Sequence, residues 1–269
     1  MSHEKKTEKF FERGIENYGD FHGNYLNFGL WENGITKYED ASEHLLSRVA
    51  QKIDLNNQTN QLDVGCGMGT QCFFFMKTFA PLKIDAIDLT QKHLDLAKQK
   101  NKFENITFTL GNACNLPFQN ESYSHVTSIE APINFNTREQ FFKEAHRVLK
   151  PQGKLGISDF HLQRNPKNWF EQKLLNICLK MWHIPQENAT TAEEYQASLV
   201  RSGFKNITIE NVSDAVYAGY YREQVRIRKT MYKIRGHLVG RAALLIDHWT
   251  YKLYKRGLIG YVLVSAQKA

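Results

Sequence analysis

The stretch QLDVGCGMGT, residues 61–70, decides the fold. An apolar pair, Leu62 and Val64, carries one acid, Asp63. Glycines Gly65, Gly67 and Gly69 then alternate into a polar, helix-forming run. This is the pattern of a strand that ends in a tight turn with a helix N-terminus behind it. Such a turn lets a ligand lie against bare backbone. It is expected to present unpaired N–H groups and the positive end of a helix dipole. A glycine triplet also occurs in loops that only connect two elements, so its meaning depends on the neighbouring strands and helices.

The adjoining stretch supplies that context. KIDAIDLT, residues 83–90, alternates apolar Ile84, Ala86, Ile87 and Leu89 with Asp85 and Asp88, as a buried strand does. In nucleotide-binding α/β units a carboxylate at the end of the second strand, roughly 20 residues beyond the glycines, accepts the ribose hydroxyls. Asp88, with Leu89 beside it, takes that place. Thr90 suits the cap of the following helix, and Asp85 reads as structural. Further on, 69–79, 91–102 and 137–149 read as helical, and 105–110, 123–130, 153–160, 206–212 and 261–267 as extended. Upstream, 3–18 and about 40–53 read as helices around an aromatic loop at 19–36. Strands alternating with helices imply β-α-β units and an open sheet covered on both faces.

In their order, LDVGCGMGT, IDLT, GNACNLPF (111–118) and RVLKPQGKLGISD (147–159) resemble the class I S-adenosylmethionine-dependent methyltransferases. NYLNFGLWENG (24–34) and IPQENATTAEEYQASLVRSGFKNITIENVS (184–213) are similar to the small-molecule branch of that family. This branch includes sugar and macrolide O-methyltransferases, tocopherol and ubiquinone-type C-methyltransferases and sarcosine-type N-methyltransferases. The resemblance implies a Rossmann-like α/β sheet of about seven strands, mostly parallel with an antiparallel last strand. It also implies an N-terminal lid and a helical cap. It divides the chain into N-terminal helices and lid (1–60), an S-adenosylmethionine-binding core (61–160) and cap insertions with the final strands (161–269).

The resemblance also places the site. Gly65, Gly67, Asp88, Leu89, Asn112 and Ala113 are the expected cofactor contacts, with Asp63 supporting the loop. Asn112 stands where the family bonds the adenine amino group, and Leu116-Pro117-Phe118 is expected to wall the adenine. Glu130 faces cofactor, substrate or a backbone amide. The strand end SIEAPINF (128–135) has Pro132, Ile133 and Asn134 where many relatives carry a histidine. Sugar O-methyltransferases place a functional aspartate at the position of Asp159, and His161 lies on the same side of the strand two residues on. Asp159 and His161 are therefore the catalytic candidates. No metal is expected. The activated sulfonium leaves orientation and exclusion of water as the main demands on the protein.

Composition bounds the remaining readings. The 269 residues are 42% hydrophobic, enough for a substantial core. No apolar run reaches the ~18 residues that suggest a membrane span, and the charged start lacks a secretory signal. The cysteines, Cys66, Cys72, Cys114 and Cys178, lack zinc-ligand spacing, and reduced thiols in a cytoplasm are the simplest account. The net charge of +7 arises largely between 219 and 257, where ten Lys and Arg oppose Glu223 and Asp247 among tyrosines and Trp249. That amphipathic stretch reads first as a cap and second as a cap in peripheral contact with an anionic membrane. Nucleic-acid contact comes last. The aromatic residues Tyr18, Tyr25, Phe28 and Trp31 read either as a lid over cofactor and substrate or as an apolar plug that seals the core against 40–53, and the family resemblance implies the lid. A dinucleotide-dependent oxidoreductase would need G-x-G-x-x-G, but residue 70 is threonine. The alternative from another class is a degenerate methyltransferase fold that docks to membrane or RNA. The acceptor atom, the substrate and the oligomeric state have no signature in the sequence.

Overall fold

A computed structural model of the chain describes residues 2–12, 24–235 and 237–269. Helix α1 (His3–Glu12) is followed by α2 (Tyr38–Lys52), β1 (Asn60–Val64), α3 (Thr70–Phe79), β2 (Lys83–Asp88), α4 (Gln91–Lys100), β3 (Ile106–Leu110) and β4 (Tyr123–Ile129). Then come α5 (Arg138–Val148), β5 (Leu149–Leu162), α6 (Trp169–Met181), α7 (Ala192–Arg201), β6 (Phe204–Asn211), α8 (Ser213–Arg235), α9 (His237–Lys255) and β7 (Ile259–Lys268). The expected helix at 3–18 is described only as far as Glu12, and its remainder lies outside the described residues, as does Tyr18.

The seven strands form one sheet in the order β3-β2-β1-β4-β5-β7-β6. β7 is antiparallel to both neighbours, β5 and β6, and the pairs on the other side of β5 are parallel. This is the expected mixed, open sheet. Alternation along β7 shows how it is sandwiched: Tyr261 and Leu263 join one buried cluster with α2, α3 and α8, whereas Val262 and Val264 join another with α5 and α7. β5 begins earlier than expected because the Lys150–Gly153 stretch, with Gln152 at φ 64°, bulges between the Tyr123–Leu149 and His125–Lys154 pairings.

Local chemistry sets the element ends. Thr191 and Glu194 close a reciprocal capping box at the start of α7. Thr137 and Asn168 cap α5 and α6 by accepting the N–H groups of Gln140 and Glu171. A third cluster, Leu162, Leu175, Cys178, Leu179, Leu253 and Leu258, fastens α6 and α9 to the end of β5. Among the described residues, no helix is long and apolar enough to cross a membrane.

Candidate active site

The strand order reverses between β1 and β4, because the chain runs outward to β3 and then returns to the other side of β1. Open α/β sheets bind ligands in the crevice that such a reversal leaves at the carboxyl ends of the strands. A cavity of about 250 Å³ lies there. Gly65, Gly67, Asp88, Leu89, Asn112 and Ala113 line one part of it, and Phe28, Phe160, Leu175, Trp182, Tyr217 and Tyr220 line another.

The glycine turn takes the conformation its residues permit. Gly65 has φ 77°, and a Cβ there would stand 2.4 Å from that of Ala131. Gly69 is left-handed too, at φ 76°, and its missing side chain admits the Phe108 ring, 2.8 Å from where a Cβ would lie. Three of the N–H groups expected to be unpaired are already taken. The N–H groups of Gly65 and Cys66 both donate to the Ile87 carbonyl, at 2.8 and 3.1 Å, and that of Gly67 to Asp88 Oδ2 at 2.9 Å. The parallel pairing of β1 with β2 brings the end of β2 against the turn, and its acceptors satisfy these donors.

Asp88 is thereby locked. Its Oδ1 accepts the Thr90 N–H at 2.9 Å and faces His93 Nδ1 at 3.2 Å. Burial pushes its pKa up, but the bonds and charge of His93, with the N–H groups of Thr90 and Gly67, outweigh that and hold it below the usual carboxylate value. Asp88 thus serves the start of α4, where Thr90 makes no side-chain cap, while still lining the cavity. Asp63 lies beneath the cavity, not in its wall. Its carboxylate accepts from Thr127 Oγ1 and Gln71 Nε2, each at 2.6 Å, and so ties β1 to β4 and α3.

Glu130 closes the end of β4 at φ 53° and lines the cavity. Its Oε1 accepts the Phe28 N–H at 2.7 Å and the Tyr261 hydroxyl at 2.5 Å. Burial raises its pKa from 4.5 to about 8, against the lowering effect of those two bonds. A carboxyl so placed holds or takes a proton near neutral pH.

Comparison with known proteins places the chain. A methyltransferase-domain family model matches residues 62–157. The erythromycin 3''-O-methyltransferase of Saccharopolyspora erythraea is 34% identical over 202 residues, which are 72% of this chain and 66% of that protein. The chain belongs to the class I S-adenosylmethionine-dependent methyltransferases. The 27-O-demethylrifamycin SV methyltransferase of Amycolatopsis mediterranei is 22% identical over 98% of both chains. The geranyl diphosphate C-methyltransferase of Streptomyces coelicolor, solved with S-adenosyl-L-homocysteine, shares the fold at TM-score 0.79 and 14% identity, over 100% of this chain and 99% of that one. S-adenosylmethionine is the cofactor of this family.

In this methyltransferase the two expected catalytic residues are placed differently from each other. Asp159 is fully buried and does not line the cavity. Its Oδ2 lies 2.9 Å from Arg138 Nε and accepts the Tyr195 hydroxyl at 3.2 Å. Arg138 in turn donates to the carbonyls of Asn188 and Phe160, at 2.8 and 3.0 Å. The pair thus clamps α5, β5 and the 3₁₀ turn Gln186–Asn188 together. His161 does line the cavity, but its ring lies on Gly260, where a Cβ would meet Nε2 at 2.4 Å. Burial, then the Arg138 charge, push its pKa down to about 4, so the ring is neutral at pH 7.

The lid residues divide in the same way. Phe28 lines the cavity and stacks on Tyr220 at 3.7 Å, whereas Tyr25 is core, with its hydroxyl on Glu43, and Trp31 packs against Gly219. The corner Leu116-Pro117-Phe118 does not line the cavity. Leu116 is buried with its N–H on Glu144, and Phe118 meets Tyr123 edge-on. Tyr217, Tyr220, Thr250 and Leu253 bring the inner sides of α8 and α9 over the cavity, as a cap does. His93 and Tyr261 are absent from the residues the sequence singles out. His93 stands five residues beyond Asp88, in the first turn of α4, a spacing that could have marked it, but nothing local points to Tyr261, 131 residues from its partner Glu130.

Proposed function

We propose that this chain transfers the methyl group of S-adenosylmethionine to a small, partly apolar acceptor, with Glu130 as the residue that handles the acceptor's proton. The observation that carries this reading is a single cavity with two unlike ends and Glu130 among its lining residues. The polar end fits the nucleoside: Asp88 keeps its charge although buried, and Asn112 offers an amide next to Ala113. The other end is built of Phe28, Ile133, Leu175, Trp182, Tyr217 and Tyr220, and suits an apolar body. The two relatives above are named for erythromycin and for 27-O-demethylrifamycin SV, small-molecule acceptors.

When bound, S-adenosylmethionine supplies an activated methyl on a sulfonium. The chain then has three tasks. Asp88, Gly67 and Asn112 would hold the nucleoside, and the aromatic walls orient the acceptor and exclude water. Glu130 would take the proton from a hydroxyl or an acidic carbon, and an unprotonated amine would not need it. Tyr261 and the Phe28 N–H occupy Oε1 and thereby fix the carboxyl in place. We assign Asp159 a positioning role through Arg138, and His161 a place in the wall as a neutral ring.

Calorimetry with S-adenosylmethionine, followed by a labelled-donor screen against sugar, macrolide, phenol, quinone and amine acceptors, tests the proposal. Donor binding and turnover of a hydroxylated acceptor, lost in Glu130→Gln, are the expected results. Absence of donor binding would overturn the reading. Full activity of Glu130→Gln on a hydroxyl acceptor would remove Glu130 from it.

A further inference from the structure

Two of the cap helices carry outer faces that the reaction does not use. On α6, Trp169, Lys173, Asn176 and Lys180 recur every three to four residues along one exposed side, with Phe170 and Ile177 beside them. On α9, Arg241, Leu245, Trp249 and Lys252 do the same, and Arg256 extends the row just past the helix end. Trp169 is 74% exposed, Leu245 58%, Phe170 49%, Ile177 47% and Trp249 37%. Among the described residues, folding therefore leaves five large apolar side chains in water on these two helices. The other large apolar residues exposed among those described, Leu82, Leu110, Val200 and Val225, lie on other elements.

The two rows are joined. The Arg256 guanidinium lies 5.9 Å from the Phe170 ring centre, and Arg164 donates to the Arg256 carbonyl at 3.1 Å. Lys252 sits 4.8 Å above the Trp249 ring. Acids do not offset the cations here: Glu171 is held by Arg164 at 2.7 Å, and Asp247 is buried. The result is a face of tryptophan, phenylalanine and branched aliphatic side chains set among Lys173, Lys180, Lys252, Lys255 and Arg256.

We propose that this α6–α9 face docks the protein on an anionic lipid bilayer. Tryptophan with lysine and arginine at the rim of an apolar stripe is the composition that partitions into a headgroup region, where the rings bury and the cations meet phosphates. The chain's net charge of +7 favours the same encounter. The inner sides of these helices, through Leu175, Cys178, Leu179, Thr250 and Leu253, line the cavity. A docked molecule thus holds its acceptor end next to a bilayer in which an apolar acceptor dissolves. This last point rests on the proposed function, whereas the docking itself does not.

Co-sedimentation of the full chain with vesicles tests it. Vesicles of phosphatidylcholine alone and of phosphatidylcholine with one-third phosphatidylglycerol are compared at low and high salt. The wild type is expected to sediment with the anionic vesicles and to partition about ten-fold less onto the neutral ones or at high salt. The double variants Trp169→Ser/Trp249→Ser and Lys173→Glu/Lys180→Glu are each expected to lose about ten-fold in partitioning. Unchanged melting temperature and S-adenosylmethionine binding would show that the cavity is intact in each variant. The proposal is overturned if the wild type stays in the supernatant, if neutral vesicles bind it equally, or if both double variants sediment like wild type. It is overturned as well if RNA binds and anionic vesicles do not. Since donor binding is read separately, failure of the docking face and failure of the methyltransferase reading give different results.

Discussion

Two acids at strand ends that look alike in the sequence differ at the residue scale. Glu130 lines the cavity, and its Oε1 is held by Tyr261 and the Phe28 N–H, so Glu130→Gln keeps the shape and removes the base. On a hydroxyl acceptor this variant should lose about 10²–10⁴-fold in kcat with little change in melting temperature. The wild-type rate should rise with pH through about 8, and the variant should lose that limb. Asp159, in contrast, faces Arg138 where neither meets solvent. Asp159→Asn leaves a buried guanidinium without its counter-charge, which costs on the order of 3–5 kcal/mol. Denaturant unfolding should show this loss even where turnover survives, and an undiminished midpoint would refute the clamp. Gly65→Ala meets Ala131 in a left-handed backbone and should weaken donor binding, measured by calorimetry, as well as stability.

At the scale of elements, α1 is the part most easily separated from the rest. His3, Glu4, Thr7 and Phe11 line the cavity, and His3 Nε2 lies 2.8 Å from the Asn134 carbonyl. Asn136 donates to Glu4 at 2.9 Å. These few contacts hold a helix that otherwise adds little core. Removing residues 2–12 should raise the dissociation constant for S-adenosylmethionine while shifting the melting temperature little, because contacts at the cavity mouth are lost and the sheet is untouched. Equal donor affinity in the truncated and full-length proteins would show that α1 is not part of the lid. The α8–α9 hairpin differs: Val216, Tyr217 and Leu253 are buried, so the cap is continuous with the core.

For the whole molecule, the perturbed groups set the pH dependence of stability. Glu130 has a raised folded pKa, so its contribution is full below about 4.5 and is lost as pH rises towards about 8. His161 has a lowered one, so its contribution is full above about 6.5 and is lost as pH falls towards about 4. Between about 4.5 and 6.5 these two slopes oppose each other, and above that, of the two, only Glu130 still titrates. Melting temperature should therefore fall from pH 6.5 to 8 in the wild type and fall less in Glu130→Gln. Saturation with S-adenosylmethionine at 100 times its dissociation constant should add about 2.7 kcal/mol, read as a rise in that temperature.

How much of this was legible depends on how far each contact reaches along the chain. The strand–turn–helix at 61–70, the acid at 88 and the order of strands and helices are local patterns, and they alone determined the sheet and the end of it at which the cavity lies. They did so because backbone conformation and hydrophobic alternation are decided among near neighbours. Tertiary structure alone decided which acids reach the cavity. Glu130 meets partners 102 and 131 residues away, and Asp159 was drawn out of reach by Arg138 on a different element. It also decided that the N–H groups of Gly65, Cys66 and Gly67 are already spent on β2, and that α6 and α9 turn their tryptophans outward. A side chain's solvation and charge depend on what the packed sheet and helices bring beside it, and that neighbourhood exists only once the chain has closed.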